Sequence, residues 1–350
     1  MERRNTEILG AIEAAKQPVL SGGWRDQMRH AVRDPDALID QLGLPEELRE
    51  GARRAAELFP LVVPQAFLAR MRHGDAKDPL LRQVLPIGAE AAEAPPGFSV
   101  DPVGESGAVQ AAGMLQKYHG RALLIVAGVC AIGCRYCFRR HFPYDESPSS
   151  LSQWQPAIDV IQESEDLEEI ILSGGDPLMR ADEWLVELVT RLEKISHLRR
   201  LRIHTRLPIV IPDRVTDQLV ALLASTRFAP TVVVHANHPA EIDAACSAAL
   251  VRLVKAGVPV LNQAVLLKGV NDDALILAEL SRKLLDARVM PYYLNQLDPV
   301  AGADHFDVSV EHGLEIIAKL RTMLPGFGVP RYVKEVCGAS HKVEVQGLGQ

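Results

Sequence analysis

The sequence predicts an α/β protein built on a parallel sheet of six β/α units. Three observations carry this. Six short, β-branched apolar runs succeed one another at 122–129, 168–173, 200–205, 231–236, 259–266 and 288–294, and near-continuous apolar runs are what strands buried on both faces require. Amphipathic segments of helical length separate most of them, at 184–195, 214–223, 241–255 and 273–286, and strands alternating with helices favour parallel pairing. Unusual polar residues collect at the ends of the runs, where parallel α/β sheets place their sites. Six units fall short of a closed eight-stranded barrel.

Taken in order, residues 1–75 read as helices. In 32–44, Asp34-Pro35-Asp36 is a helix-start signal, followed by Ala37, Leu38, Ile39 and Leu42 at helical spacing. The segment 46–59 is similar. The first residues carry no apolar h-region, so no signal peptide is expected, and no apolar run reaches the length of a membrane span. From 89 to 107 the chain turns to Ala, Glu, Pro and Gly and reads as an irregular connector. The expected division is 1–105 for the helical region and connector, 106–300 for the sheet domain and 301–350 for a C-terminal segment.

Composition bounds the function. Of 350 residues, 47% are hydrophobic and 24% charged, as in a soluble globular protein. A net charge of −7 argues against a broad nucleic-acid surface but leaves room for a local basic pocket, for which Arg135, Arg139, Arg140 and His141 are candidates. Five cysteines is an odd number, and Cys246 and Cys337 lie far apart, so no disulfide framework is expected and a reducing cytoplasm is.

The other three cysteines are Cys130, Cys134 and Cys137, at C-x3-C-x2-C directly after the first strand. Close thiolate runs hold iron–sulfur clusters, and three ligands are one short of the four a cubane needs, which leaves one iron free for a small molecule. The competing reading is a zinc knuckle with His141 as fourth ligand, making the chain a zinc-stapled binding module. Ser173-Gly174-Gly175-Asp176 follows the second strand, and the glycine pair lets backbone approach a ligand. His204 and Arg206 close the third strand. His235, Asn237 and His238 follow the fourth, the last two being candidate helix caps. Gln263 sits in an apolar strand and needs a partner if buried. Asp298 follows the sixth strand.

The cysteine run, with Tyr136 before its third cysteine, resembles the radical S-adenosylmethionine (radical SAM) signature. That resemblance implies a partial (β/α)6 TIM-type barrel and a [4Fe–4S] cluster on Cys130, Cys134 and Cys137 that chelates S-adenosylmethionine (SAM). In such a fold, Ser173–Asp176 resembles the segment that holds the methionyl amino group of SAM. Several further segments resemble the lysine 2,3-aminomutase family: Lys117-Tyr118-His-Gly-Arg121, Phe138-Arg-Arg140, Val270-Asn-Asp272 and Pro291 through Asp298, with His305-Phe306. The closest resemblance is to the aminomutase of elongation factor P (EF-P) β-lysylation. It implies an isomerase that turns L-lysine into (R)-β-lysine, a functional link to EF-P and its lysyl ligase, an external electron donor, and pyridoxal phosphate (PLP) as a further cofactor. By the same resemblance Lys342 bonds PLP, with Lys334 as competitor, Tyr118 packs near PLP and Arg121 binds its phosphate. His204, Arg206 and Gln263 lie near the cofactors. Arg139 pairs with the substrate carboxylate, and Asp298 and Glu335 hold its far ammonium. A catabolic aminomutase giving (S)-β-lysine is the alternative within the family.

Overall fold

The computed structural model describes residues 23–346; the helices expected in 1–22 lie outside them. One sheet of ten strands organises the molecule, in the order β1 to β10. Strands β1 (Val109–Ala111) and β2 (Met114–Tyr118) form an antiparallel edge. The predicted strands follow as β3 (Arg121–Ala127), β4 (Glu169–Gly174), β5 (Arg200–Thr205), β6 (Ala229–Val234), β7 (Val260–Val265) and β8 (Met290–Asn295). These six run parallel to one another, and β3 pairs antiparallel with β2 on its other side. A seventh parallel strand, β9 (Arg331–Lys334), pairs with β8 and carries the antiparallel β10 (Val343–Glu344). Because β1 and β10 stay unpaired to each other, the sheet is an incomplete TIM-type barrel.

Strand burial explains the pattern. In β5, Leu201 and Ile203 are buried in the apolar core, whereas Arg202 and His204 face the inside, as the two-residue period of a strand requires. In β7, Val260, Asn262 and Ala264 are buried and Gln263 and Val265 face inward. The chain leaves β3 earlier than its apolar run suggests, because Val129 swings out to 59% exposure and starts the cysteine loop.

Two of the helices between strands begin at an aspartate cap. Asp243 accepts from the Cys246 amide at 2.8 Å ahead of Ala244–Lys255, and Asp273 from Leu275 at 2.7 Å ahead of Ala274–Asp286. Before the connector, Asp34 caps Pro35–Leu42, and Leu48–Leu58 follows. The connector is irregular apart from short 3-10 turns at Gly88–Ala91 and Ser106–Ala108. Residues on both sides of it share one apolar core running from Trp24 to Val345. Among the described residues no helix is long and apolar enough to cross a membrane.

Candidate active site

On the inner side of the sheet lies a cavity of about 570 Å3, within the size range of small-molecule sites. Every residue assigned above to metal, cofactor or substrate lines it, from Tyr118 and Arg121 through the cysteines to Lys342. Lys334 does not line it and is exposed.

The cysteine loop is built from both ends. Burial and the neighbouring thiols push the Cys130 thiol well up and that of Cys137 up to about 12. Cationic iron reverses that preference, since a coordinated thiol is deprotonated. Arg206 donates to Cys134 Sγ at 2.7 Å and is fixed by Glu241 at 2.8 Å and Gln83 at 2.6 Å. His141, the proposed fourth zinc ligand, is exposed and turns to the Ala301 carbonyl at 3.2 Å. Three thiolates on one short loop that lines the cavity are a donor set that suits an iron–sulfur cluster.

The glycine pair lines the cavity and also lies against protein backbone. A Cβ on Gly174, whose φ is +123°, falls 2.4 Å from the Ala127 carbonyl oxygen, and one on Gly175 falls 2.5 Å from that of Val129. These glycines press the end of β4 against the backbone that leads to Cys130. Asp176 likewise turns to protein: it accepts from Thr205 Oγ1 at 2.7 Å, and from the amides of Leu178, Arg206 and Leu207 at 3.0, 2.7 and 3.1 Å. It ties the β4 loop to the β5 loop beside the cavity.

The arginines after the cysteines do not form an open basic pocket. Arg135 and Arg140 are buried and share one carboxylate, that of Glu90. Arg139 faces the cavity but is gripped by Glu105, at 2.7 Å from Nε and 2.6 Å from Nη2, while Nη1 reaches Ser173 Oγ at 2.9 Å and the Gly174 carbonyl at 3.3 Å. Four of the five guanidinium donors are thus engaged, which leaves one N–H for a ligand. Burial disfavours this charge, but Glu105 outweighs it and holds the guanidinium protonated.

At the far end, Glu335 follows β9 and is half surrounded by cations. Its Oε1 accepts from Lys117 Nζ at 2.6 Å and from the Tyr118 hydroxyl, and its Oε2 faces Lys342 Nζ at 2.9 Å. Burial alone raises this carboxyl; Lys342, Lys117 and Tyr118 outweigh it and bring it down to about 2. Asp298 fares oppositely. Burial, with Glu335 nearby, pushes it up to about 6 although Lys342 and Lys117 pull down. Arg121 stacks its guanidinium over the Tyr118 ring, 4.7 Å from the centroid.

Between these ends, burial keeps His204 and His235 neutral, the latter down at about 3. His235 is the partner Gln263 needs, at 2.5 Å. His238 caps the 3-10 turn Pro239–Glu241, as expected, but Asn237 instead bridges Gln83, Tyr136 and the Val265 amide. Two buried atoms of the cavity wall, His204 Nε2 and Asn295 Oδ1, have no partner among the described residues; such groups call for a ligand or water.

Sequence reasoning missed Glu105, Glu241 and Gln83. Glu105 is one of several acids in an irregular connector, with no local pattern to single it out. Lys117 stands in a segment that was singled out, yet its side chain was given no task.

The radical SAM superfamily model matches residues 124–280. The chain is 48% identical to L-lysine 2,3-aminomutase of Escherichia coli over 320 residues, 91% of this chain and 93% of that protein. It is 46% identical to L-lysine 2,3-aminomutase of Haemophilus influenzae over 329 residues, 93% of this chain and 97% of that one. For the Clostridium subterminale protein of the same name the identity is 34%, over 92% of this chain and 77% of that one. A solved radical SAM methyltransferase from Sphaerobacter thermophilus overlaps with a TM-score of 0.43 at 22% identity, over 63% of this chain and 68% of the other. Identity of this order along almost the whole of both chains makes this protein a member of the L-lysine 2,3-aminomutase family within the radical SAM superfamily, and so an isomerase working with a [4Fe–4S] cluster and SAM.

Proposed function

We propose that the protein converts L-lysine to β-lysine, as the (R) isomer, with PLP bound through Lys342, and that the product serves modification of EF-P by a separate ligase in the cytoplasm. One observation carries the reading: a single cavity holds the cysteine loop at one end, and Lys342 between two carboxylates at the other. When bound, the cluster and SAM supply a 5′-deoxyadenosyl radical, and PLP supports the migrating nitrogen.

The chain's own residues then bind and orient. Arg139 offers its remaining N–H to the substrate carboxylate while Glu105 keeps the guanidinium from turning. Asp298, which has no cation in hydrogen-bond contact among the described residues, takes the far ammonium with Glu335 Oε2. Arg121 is placed to hold a phosphate, for which a planar guanidinium is suited. Ser173 and Arg206 flank the SAM end, and Gln263 with His235 lines the path between. Recognition at both ends rejects shorter diamino acids, which leave a buried carboxylate unpaired.

The test is anaerobic incubation of the reconstituted protein with lysine, SAM, PLP and reductant, followed by chiral analysis. (R)-β-lysine supports the proposal. The (S) isomer moves the protein to a catabolic role, and the absence of β-lysine overturns the reading. Transfer of the product to EF-P by a lysyl ligase tests the pathway separately.

A further inference from the structure

We propose that Lys117 is a positioning residue that fixes Glu335 across the open seam of the barrel and trims the far end of the cavity to accept one ammonium group. The inference rests on the lysine reading above and concerns a side chain to which that reading gives no role. Lys117 lies on β2, beyond one edge of the parallel strands, and Glu335 follows β9 at the other. Its ammonium donates to Glu335 Oε1 at 2.6 Å and to the Val103 carbonyl of the connector at 2.8 Å. The pair is largely shielded, with side-chain exposures of 18% and 8%, so the contact is stronger than a surface ion pair.

Two consequences follow for Glu335. Its Oε1 is taken by Lys117 and Tyr118, so only Oε2 faces Lys342 and the space beyond. A glutamate arm that could swing is thereby held at one reach, on a scale where small displacements matter for binding and rate. The second consequence is the charge count. Asp298 and Glu335 carry two negative charges, and Lys117 and Lys342 two positive ones. Lys117 thus offsets one of the two carboxylates from outside the space beyond Oε2, and the other is left to Lys342 or to a substrate ammonium. Without Lys117 both carboxylates face that space and Glu335 loses its anchor.

The experiment compares K117M and K117R with the wild-type holoenzyme, kept anaerobic. Lysine affinity is read by calorimetry, SAM affinity in parallel, and kcat and KM from β-lysine formation. The expected result is lysine affinity about tenfold or more weaker in K117M, the range for a hydrogen bond to a charged group. KM should rise more than kcat falls, SAM affinity should hold, and the acid limb of kcat/KM should move to higher pH as the carboxylates lose a cation. K117R should regain most of the lysine affinity. Unchanged lysine affinity in K117M, equal losses for lysine and SAM, or a K117R as weak as K117M each overturn the role and leave the lysine reading standing. A wild-type protein that binds no lysine overturns the lysine reading first and this inference with it.

Discussion

Replacing Asp298 by Asn should stabilise the lysine-free protein while removing most of its affinity for lysine. Burial lifts this carboxyl from its ordinary 3.8 to about 6, which costs about 3 kcal/mol. The sign runs against stability at neutral pH. Below 3.8 folded and unfolded chains both carry the proton and nothing is lost. Between 3.8 and 6 the unfolded chain ionises while the folded one does not, and above about 6 the full penalty stands. Asn carries no charge to desolvate. For 350 residues, an unfolding entropy of about 2 cal/mol/K per residue makes 3 kcal/mol worth up to about 4 °C in Tm. The scan belongs on PLP-free protein, in which Lys342 remains on Glu335. The same substitution deprives a substrate ammonium of its partner, weakening lysine binding by roughly a hundredfold. Wild-type affinity should itself fall about tenfold per pH unit below about 6 as Asp298 takes up its proton. A D298N protein with lower Tm and intact lysine affinity would refute this reasoning.

Three further outcomes are expected. Cys134→Ala should abolish iron incorporation and SAM cleavage, read by metal analysis and 5′-deoxyadenosine release. Lys342→Ala should remove the absorbance of covalently bound PLP while Lys334→Ala leaves it, and the reverse pattern would transfer the role to Lys334. Gly174→Ala should destabilise by about 1–3 kcal/mol or more, because φ is +123° and the new Cβ meets the Ala127 carbonyl; an unchanged Tm would show that β4 can shift there.

The barrel was legible because its strands read as short apolar runs separated by amphipathic segments of helical length. What escaped were the marginal strands. Arg331–Lys334 is four residues long with charge at both ends, and Met114–Tyr118 mixes Gln and Lys with its apolar residues. Those two strands carry Lys117 and Tyr118 on one side of the seam and lead into Glu335 on the other. The cysteines were legible because their spacing is local. The partners of the arginines were not, since Glu90 lies 45 residues before Arg135 and Glu105 lies 34 before Arg139. Proximity of that kind is created by the fold alone. The basic pocket expected from Arg135, Arg139 and Arg140 failed for this reason: counting charge within a segment ignores acids brought in from the connector.

The Glu90 carboxylate has a consequence for the cysteine loop. It binds Arg135 and Arg140, which flank Cys137, while Arg135 also donates to the Phe59 carbonyl at 2.7 Å at the end of Leu48–Leu58. The loop that receives iron is therefore bolted to the amino-terminal helices by groups that need no metal. The position of that loop is set by contacts between side chains and backbone as well as by whatever its thiolates bind.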